Sequence, residues 1–244
     1  MKPAHIDIED LLQETPGLDR ISFHGGRLSE LMRGGLRPTE VVALLDTDSG
    51  LRRWMQEPLA AYGLEEGALW RHSLAAAIAV DLARSYSRVS IAPAAFAAAL
   101  LHDVGKRVLS SHLEDQEGTF LRRLKKCKGM AVDRAEMEIL RFGHGDLGAH
   151  LAQLWGLSPS TADGIRFHHA PILAPTPEAR RVAAQVALGD AVAMAIGAGH
   201  GGVVPDKPFD AGIAGMLSIS RDGFAALCSS VERQLDEGHE ALAA

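Results

Sequence analysis

The residues that decide the fold are 93–109, which read PAAFAAALLHDVGKRVL. A proline is accepted in the first turn of a helix, and the alanines and leucines that follow it are strong helix formers. This stretch therefore predicts a helix that begins at the proline, continues through His102 and ends near Leu109. Gly105 would allow a neighbouring helix to approach the backbone closely. The pair His102-Asp103 places two chemically active side chains in this apolar segment.

The rest of the chain has the same helical character, and strand-like alternation of apolar and polar residues is nearly absent. The fold class is therefore predicted to be all-α. Apolar spacing, N-cap residues, glycines and prolines predict further helices at about residues 38–45, 69–84, 133–142, 147–155, 160–169, 178–196 and 224–235.

Length and composition suit one large helical core with a smaller lobe attached, because 47% of the 244 residues are hydrophobic. Shifts in composition predict where the parts divide. Residues 1–60 are expected to form a small N-terminal helical lobe, and residues 61–244 the main domain with its C-terminal helices. A glycine-rich loop is expected at 197–206.

Charge and cysteine content narrow the classes of partner and compartment. The formal net charge is −6, so no nucleic-acid partner is expected. The dense basic stretch at 122–128 is interpreted as a solvated helix face. Cys127 and Cys228 lie far apart in no metal-binding spacing, which indicates a reducing compartment.

No segment of the sequence has the character of a membrane or export signal. The N-terminus carries charges where a signal peptide would need an apolar core. The longest apolar run, 91–101, contains a proline and is too short to cross a bilayer. The sequence therefore predicts a cytoplasmic protein with no membrane partner, and it predicts nothing about the oligomeric state.

Seven histidine and aspartate side chains are candidate metal ligands. Imidazole and carboxylate without thiolate suit divalent Fe, Mn, Ni, Co or Zn. Asp103 has two oxygens and could bridge two metals. Metal-assisted hydrolysis of a phosphate ester is the leading hypothesis for such a set. The candidates are His72, His102, Asp103, His144, His168, His169 and Asp190.

Each candidate also has a purely structural interpretation. A histidine beside an alanine-rich face, such as His72, is usually a hydrogen-bonded core residue, and His144 could be a helix cap. His168 and His169 could be cations stabilised by the C-terminus of a helix. Asp190 lies within a strongly apolar helix and needs polar partners. Because all these interpretations would have to hold together, the metal hypothesis is favoured.

Two cations lie near the candidate ligands in the sequence. Lys106 and Arg166 could hold a phosphate oxygen or neutralise charge in a transition state. The alternative is a surface lysine and an arginine on a solvated helix face. Lys106 is the stronger candidate of the two.

The order of the candidate ligands resembles the HD superfamily of metal-dependent phosphohydrolases, and within it the two-metal branch that includes the HD-GYP proteins. The surrounding segments resemble the HDOD family more closely still. These segments are residues 69–73, 95–106, 143–151 and 186–191. The resemblance covers roughly residues 30 to 235, and the first 60 residues look like a shortened or diverged form of the HDOD N-terminal helices.

The resemblance implies an HD-type helical bundle core, two divalent transition-metal ions and a role for each candidate. Fe or Mn is favoured, and Ni, Co, Zn or Mg is possible. His72, His102, Asp103 and Asp190 would hold one metal. Asp103 would bridge to a second metal, held by His144 and by His168 or His169. A hydroxide between the metals would attack phosphorus with help from Lys106, so that Asp103 and Lys106 are the predicted catalytic residues.

Two departures from the two-metal relatives bear on function. After the paired histidines, HD-GYP proteins carry a glutamate and then Gly-Tyr-Pro, whereas this chain reads APILAP at 170–175. Hydrolysis of cyclic di-GMP is therefore not implied. Ala68 stands where some relatives have a glutamate that holds a third metal, so no third metal is expected.

The leading hypothesis is a binuclear phosphohydrolase that acts on a nucleotide or another phosphate ester in bacterial signalling. Many HDOD proteins have lost the ligands and act as signalling modules, whereas this chain keeps them. The alternative is a regulatory module that binds a signalling protein or a nucleotide without turnover. A purely structural role for the metals is least favoured, because a ligand set this large usually leaves an open coordination position.

Overall fold

The structure is a computed structural model that describes residues 7–15, 18, 40, 49–113, 132–199 and 210–243. Within these ranges the chain is helical and contains no strand, which confirms the predicted all-α class. The helices are α1 (Ile8–Glu14), α2 (Ser49–Gln56), α3 (Ala68–Leu82), α4 (Pro93–Leu101), α5 (Val104–Leu113), α6 (Val132–Leu140), α7 (His144–Leu154), α8 (Pro159–Arg166), α9 (Pro177–Ala195), α10 (Ala211–Leu217) and α11 (Arg221–Ala243).

Helix α3 lies at the centre of the core and packs against α4, α9 and α11. Small residues let these helices approach closely. A Cβ added to Gly189 on α9 would lie 2.6 Å from the Ala76 carbonyl oxygen on α3. Ala76, Ala79 and Val80 are fully buried in this contact region. The alanine-rich composition therefore produces close helix packing, which holds the backbones that carry the candidate ligands.

Local capping explains where α8 and α9 begin. Ser158 Oγ accepts a hydrogen bond from the Thr161 N–H at 3.1 Å, and Thr176 Oγ1 accepts one from the Ala179 N–H at 3.0 Å. A proline follows each cap, where its missing N–H costs nothing. These short polar and proline signals are readable in the sequence, and both helix starts lie within one residue of the prediction.

The predicted single helix over 93–109 is wrong, because it is two helices that break at His102 and Asp103. The His102 ring donates through Nδ1 to the Ala99 carbonyl at 2.8 Å. In an uninterrupted helix that carbonyl would accept from the Asp103 N–H. The Lys106 N–H bonds to the Asp103 carbonyl at 2.9 Å and starts the next helix.

Two other boundaries differ from the prediction near candidate ligands. Helix α7 begins at His144, three residues earlier than predicted, because Asp146 Oδ2 accepts a hydrogen bond from the Gly143 N–H at 3.2 Å. Helix α8 ends at Arg166, and the chain then makes a turn in which the Ala170 N–H bonds to the Phe167 carbonyl at 2.9 Å. His168 and His169 therefore lie in a turn.

The described part of the predicted N-terminal lobe packs against the main helices. Leu11 and Leu12 on α1 are buried, and His112 Nε2 donates to the Leu11 carbonyl at 3.2 Å. Arg107 on α5 forms an ion pair with Glu57, just after α2. Most of the lobe lies outside the described residues, so the division into residues 1–60 and 61–244 stays a prediction.

Three other predictions fall mostly or wholly outside the described residues: the helix at 38–45, of which only residue 40 is described, the basic stretch at 122–128, and most of the loop at 197–206. Among the helices that the structure does describe, none combines the length and apolar character needed to span a bilayer.

Candidate metal centre

The seven candidate ligands converge from five parts of the chain. His72 comes from the first turns of α3, and Asp190 comes from α9. The break between α4 and α5 supplies His102 and Asp103. The start of α7 and the turn after α8 supply the other three histidines. All are buried except Asp190, which is partly buried, and His169, which is exposed at the edge of the site.

One group of donor atoms consists of two histidines and a carboxylate. His72 Nε2 lies 3.3 Å from His102 Nε2 and 3.1 Å from Asp190 Oδ1. His102 Nε2 lies 3.8 Å from the same Asp190 oxygen. Atoms this close can share one cation. We call His72, His102 and Asp190 the first group.

A second group consists of three histidines. His144 Nε2 lies 3.4 Å from His168 Nε2 and 3.0 Å from His169 Nε2. The three donor atoms can again share one cation. We call His144, His168 and His169 the second group. Both His168 and His169 lie close to His144, and His168 also forms a group with His102 and Asp103, so the choice between the two histidines stays a prediction.

Asp103 lies between the two groups. Its Oδ1 is 3.2 Å from His144 Nε2 in the second group. Its Oδ2 is 3.7 Å from His72 Nε2 and 3.5 Å from His102 Nε2 in the first group. The two oxygens of one buried carboxylate therefore face different groups, which is the geometry expected of a bridging ligand.

Backbone carbonyls fix the orientation of three of the rings. His72 Nδ1 donates to the Ala198 carbonyl at 3.0 Å, His102 Nδ1 to Ala99 at 2.8 Å and His168 Nδ1 to Ile165 at 2.6 Å. A carbonyl can only accept, so Nδ1 carries the proton in each case. Each Nε2 of a neutral ring therefore presents its lone pair to the interior of the site.

These donor atoms fit a divalent cation. Two Nε2 lone pairs that face each other at 3.3 or 3.4 Å repel unless a proton or a metal lies between them. Asp103 Oδ1 is buried and accepts no hydrogen bond of good geometry from the residues that the structure describes. Buried unpaired acceptors are costly, and a cation would satisfy all of them at once. Imidazole nitrogens and carboxylate oxygens are the donors that first-row divalent metals take.

Two histidines of the second group, His144 and His168, have pKa values shifted in opposite directions. Burial lowers the pKa of His144, but the Glu136 carboxylate outweighs burial and raises the pKa to about 9. Burial and the neighbouring His169 hold the pKa of His168 well below its ordinary value. Burial opposes ionisation of Asp103, yet Lys106 and His102 hold its pKa well below the usual range. Asp103 is thus ionised at neutral pH.

The two predicted cations have different surroundings. Lys106 Nζ lies 2.6 Å from Asp103 Oδ2, and only 15% of its side chain is exposed. Arg166 Nε lies 3.5 Å from Asp146 Oδ1, and both side chains are more than a third exposed. Lys106 is therefore a member of the site, whereas Arg166 belongs to an ion pair at the surface.

Sequence reasoning missed a buried carboxylate behind the second group. Glu136 on α6 is fully buried and accepts hydrogen bonds from His144 and from the Tyr62 hydroxyl. The sequence offers little to separate Glu136 from the exposed Glu138 on the same helix. Ala135 beside it is apolar and buried. The helical spacing of apolar residues along α6 is therefore the one sequence pattern that could have indicated a buried face there.

Comparison with known proteins assigns the family. Residues 35–171 match the family model of the HDOD domain, which is more than half of the chain. This chain belongs to the HDOD family. The matched region of this HDOD protein contains every candidate ligand except Asp190, which lies beyond it on α9. No curated protein matches the chain.

Three solved structures share the fold of this HDOD protein at low identity. An HDOD domain protein of unknown function from Geobacter sulfurreducens is 19% identical, with a TM-score of 0.58 and 89% of each chain covered. A protein from Marinobacter aquaeolei VT8, provisionally named a signal transduction protein, is 17% identical, with a TM-score of 0.57 over 96% of this chain. A protein from Shewanella amazonensis SB2B, provisionally named a phosphohydrolase, is 20% identical, with a TM-score of 0.50 over 67% of this chain.

This HDOD protein covers 58% of the Shewanella chain and 54% of the Marinobacter chain, so both neighbours are substantially longer than the aligned part. At such identities the likeness establishes the fold alone.

Proposed function

We propose that this HDOD protein is a metal-dependent phosphohydrolase with a binuclear centre, acting on a nucleotide or another phosphate ester. One observation carries the proposal: one oxygen of the buried Asp103 faces Nε2 of His144 in the second group, and the other faces Nε2 atoms of His72 and His102 in the first. The fold neighbour from Shewanella, with its provisional name of phosphohydrolase, is consistent with this proposal.

In the proposed centre, the first group together with Asp103 would hold one ion, and the second group together with Asp103 would hold the other. Fe and Mn are the favoured metals, and Ni, Co, Zn and Mg are compatible with nitrogen and oxygen donors. Bound there, such ions would polarise a phosphoryl oxygen and lower the pKa of a water molecule so that it can act as the nucleophile.

The protein's own residues then bind and orient the ester. Burial lowers the pKa of Lys106, but Asp103 outweighs burial and raises it, so the ammonium stays charged at neutral pH. Its Nζ can donate to a phosphoryl oxygen that enters beside Asp103, where charge develops during transfer. His169 lies on the exposed side of the site, so an ester would approach from that side.

The second candidate function is a regulatory module that binds a signalling protein or a nucleotide without turnover. The provisional name of the Marinobacter neighbour favours it. So does an exposed apolar turn just beyond His169, where Ile172 and Leu173 are 67% and 69% exposed. A partner protein could contact that turn. Protein that is loaded with metal but inactive on all esters would favour this function.

The proposal is tested by reconstituting purified protein with Fe(II) or Mn(II) under anaerobic conditions. Metal per chain is measured, followed by turnover of a panel of nucleotides, phosphomonoesters and phosphodiesters. Two ions per chain and hydrolysis of at least one ester are expected. Protein that stays free of metal after reconstitution would contradict the proposal.

Asp103→Asn is predicted to lose both ions, because the neutral amide cannot bridge two cations. Loss of several kcal/mol of transition-state stabilisation lowers kcat/KM on the order of a thousandfold. Asp222→Asn is the matched control, since Asp222 is an exposed aspartate in the first turn of α11. The control should keep its metal and its activity. Two tightly bound ions in Asp103→Asn would contradict the bridging role.

A further inference from the structure

Glu136 is a fully buried carboxylate that is not a candidate ligand, yet it contacts one. Its Oε2 accepts two hydrogen bonds from His144, one from the backbone N–H at 2.7 Å and one from ring Nδ1 at 2.7 Å. Its Oε1 accepts a hydrogen bond from the Tyr62 hydroxyl at 2.7 Å. The three contacts hold the carboxylate in one orientation.

His144 differs in this respect from the other oriented histidines. The rings of His72, His102 and His168 donate through Nδ1 to neutral backbone carbonyls. His144 donates to an anion instead. A carboxylate on the far nitrogen of a histidine orients the ring, fixes the tautomer and makes the ligating nitrogen more basic.

The two groups also differ in the number of carboxylates that they contain. The first group contains a carboxylate of its own, Asp190. The second group contains no carboxylate of its own and shares Asp103 with the first. Two carboxylates contact His144 among the described residues, and these are Asp103 and Glu136. Glu136 therefore adds a second negative charge beside this group. A divalent ion held by the second group would be attracted to that charge at short range.

We propose that Glu136 is a positioning residue that makes the second group competent to hold a metal, by orienting the His144 ring and increasing its basicity. Tyr62 holds Glu136 in place. The inference rests on the proposed metal centre and adds to it that the two positions depend on different residues. A merely structural hydrogen-bond acceptor at this position could be neutral, as it is behind the other three rings, and would avoid the cost of burying a charge.

The test compares Glu136→Gln with Glu138→Gln. The first variant keeps the shape and an oxygen acceptor but removes the buried charge, and the second removes an exposed charge from the same helix. Affinities for the first and second Mn(II) or Co(II) ion are measured by competition with a chromogenic chelator. Glu136→Gln is expected to weaken one of the two ions 10- to 100-fold and to leave the other within about threefold. Glu138→Gln is expected to match wild type.

A second measurement needs no metal. Proton NMR of metal-free protein with nitrogen-15-labelled histidine detects the proton on His144 Nδ1. Its hydrogen bond to the Glu136 carboxylate should place this proton resonance far downfield in wild type, and Glu136→Gln should move it upfield. If Glu136→Gln does not fold, Tyr62→Phe is used. This variant keeps the Glu136 carboxylate but removes the hydrogen bond from the Tyr62 hydroxyl that helps to orient it. Tyr62→Phe should weaken the same single ion, by less.

The outcomes separate this inference from the proposed function. Wild-type protein that binds no metal would contradict the proposed function, while the NMR signal would still decide whether Glu136 orients the ring. Wild-type protein that binds two ions, with Glu136→Gln or Tyr62→Phe unchanged or weakening both ions equally, would overturn the positioning role.

Discussion

Asp103 is the residue on which the site depends most. Its two oxygens face the two groups, and its Oδ2 also accepts from the Lys106 ammonium at 2.6 Å. In the proposed centre, Lys106 would therefore lie beside the reacting region and compete with a metal for the same oxygen. Lys106 is expected to increase kcat and to lower metal affinity, and these two effects can be measured separately.

Lys106→Met is predicted to lower kcat by about 10²- to 10³-fold, because a donor to the developing phosphoryl charge is lost. Metal affinity should stay the same or increase, because the competing cation at Asp103 is gone. Kinetics at saturating metal, with metal content measured in parallel, check this. Arg71→Met is the control, since Arg71 is an exposed cation beside His72. A fall in activity that only follows a fall in metal content would contradict the role.

At the level of elements, the break between α4 and α5 and its contact with α7 position the centre. Gly105 lies against the start of α7, where an added Cβ would overlap the His144 carbonyl oxygen and lie 3.0 Å from the Gly148 backbone nitrogen. The close approach expected of Gly105 is thus the contact that brings His144 to Asp103. Both atoms it meets are backbone, which cannot move aside cheaply.

Gly105→Ala is predicted to lower the free energy of unfolding by about 1–3 kcal/mol or more, because α5 and α7 must separate. The separation should also weaken metal binding, since Asp103 and His144 move apart. Gly215→Ala on α10 is the control, because an added Cβ there meets no described residue within 4 Å. Alanine should stabilise that helix by up to about 1 kcal/mol. Urea unfolding measures the free energy of unfolding of both variants. Equal stability of the two would contradict the role of Gly105 in the close contact between α5 and α7.

At the scale of the whole molecule, metal binding at the proposed centre would be coupled to folding through protonation of the site. Raising the pKa of His144 from 6.5 to about 9 means that the folded, metal-free protein holds this proton more tightly than the unfolded chain. The resulting stability is fully present below pH 6.5 and is lost as the pH rises through 9. The pKa of His72 is raised in the same direction, against burial, by Asp190.

The metal-free protein is therefore predicted to lose stability between pH 6.5 and 9, on the order of 3 kcal/mol for the His144 proton. Metal must displace that proton, so the increase in Tm on adding Mn(II) should grow over the same range. Thermal unfolding with chelator and with metal measures both effects. His144→Asn should flatten the pH profile, because it removes the proton whose pKa Glu136 raises. A flat wild-type profile would contradict the shift.

Sequence alone determined the helical class and the chemical types of the donors, because helix propensity, proline and capping signals and side-chain chemistry are local properties. It did not determine the break at His102-Asp103, which depends on a ring that takes a helical carbonyl. It did not determine Glu136, because burial of one glutamate rather than its neighbour depends on what packs against α6.

The tertiary structure decided how the donors face one another. Ala198 fixes the His72 ring from 126 residues away along the chain, and Glu136 meets Tyr62 from 74 residues away. Such contacts depend on the close packing of whole helices, which small residues such as Gly105 and Gly189 permit. Local sequence carries the chemistry of each ligand, whereas only packing between distant segments orients the lone pairs toward a common centre.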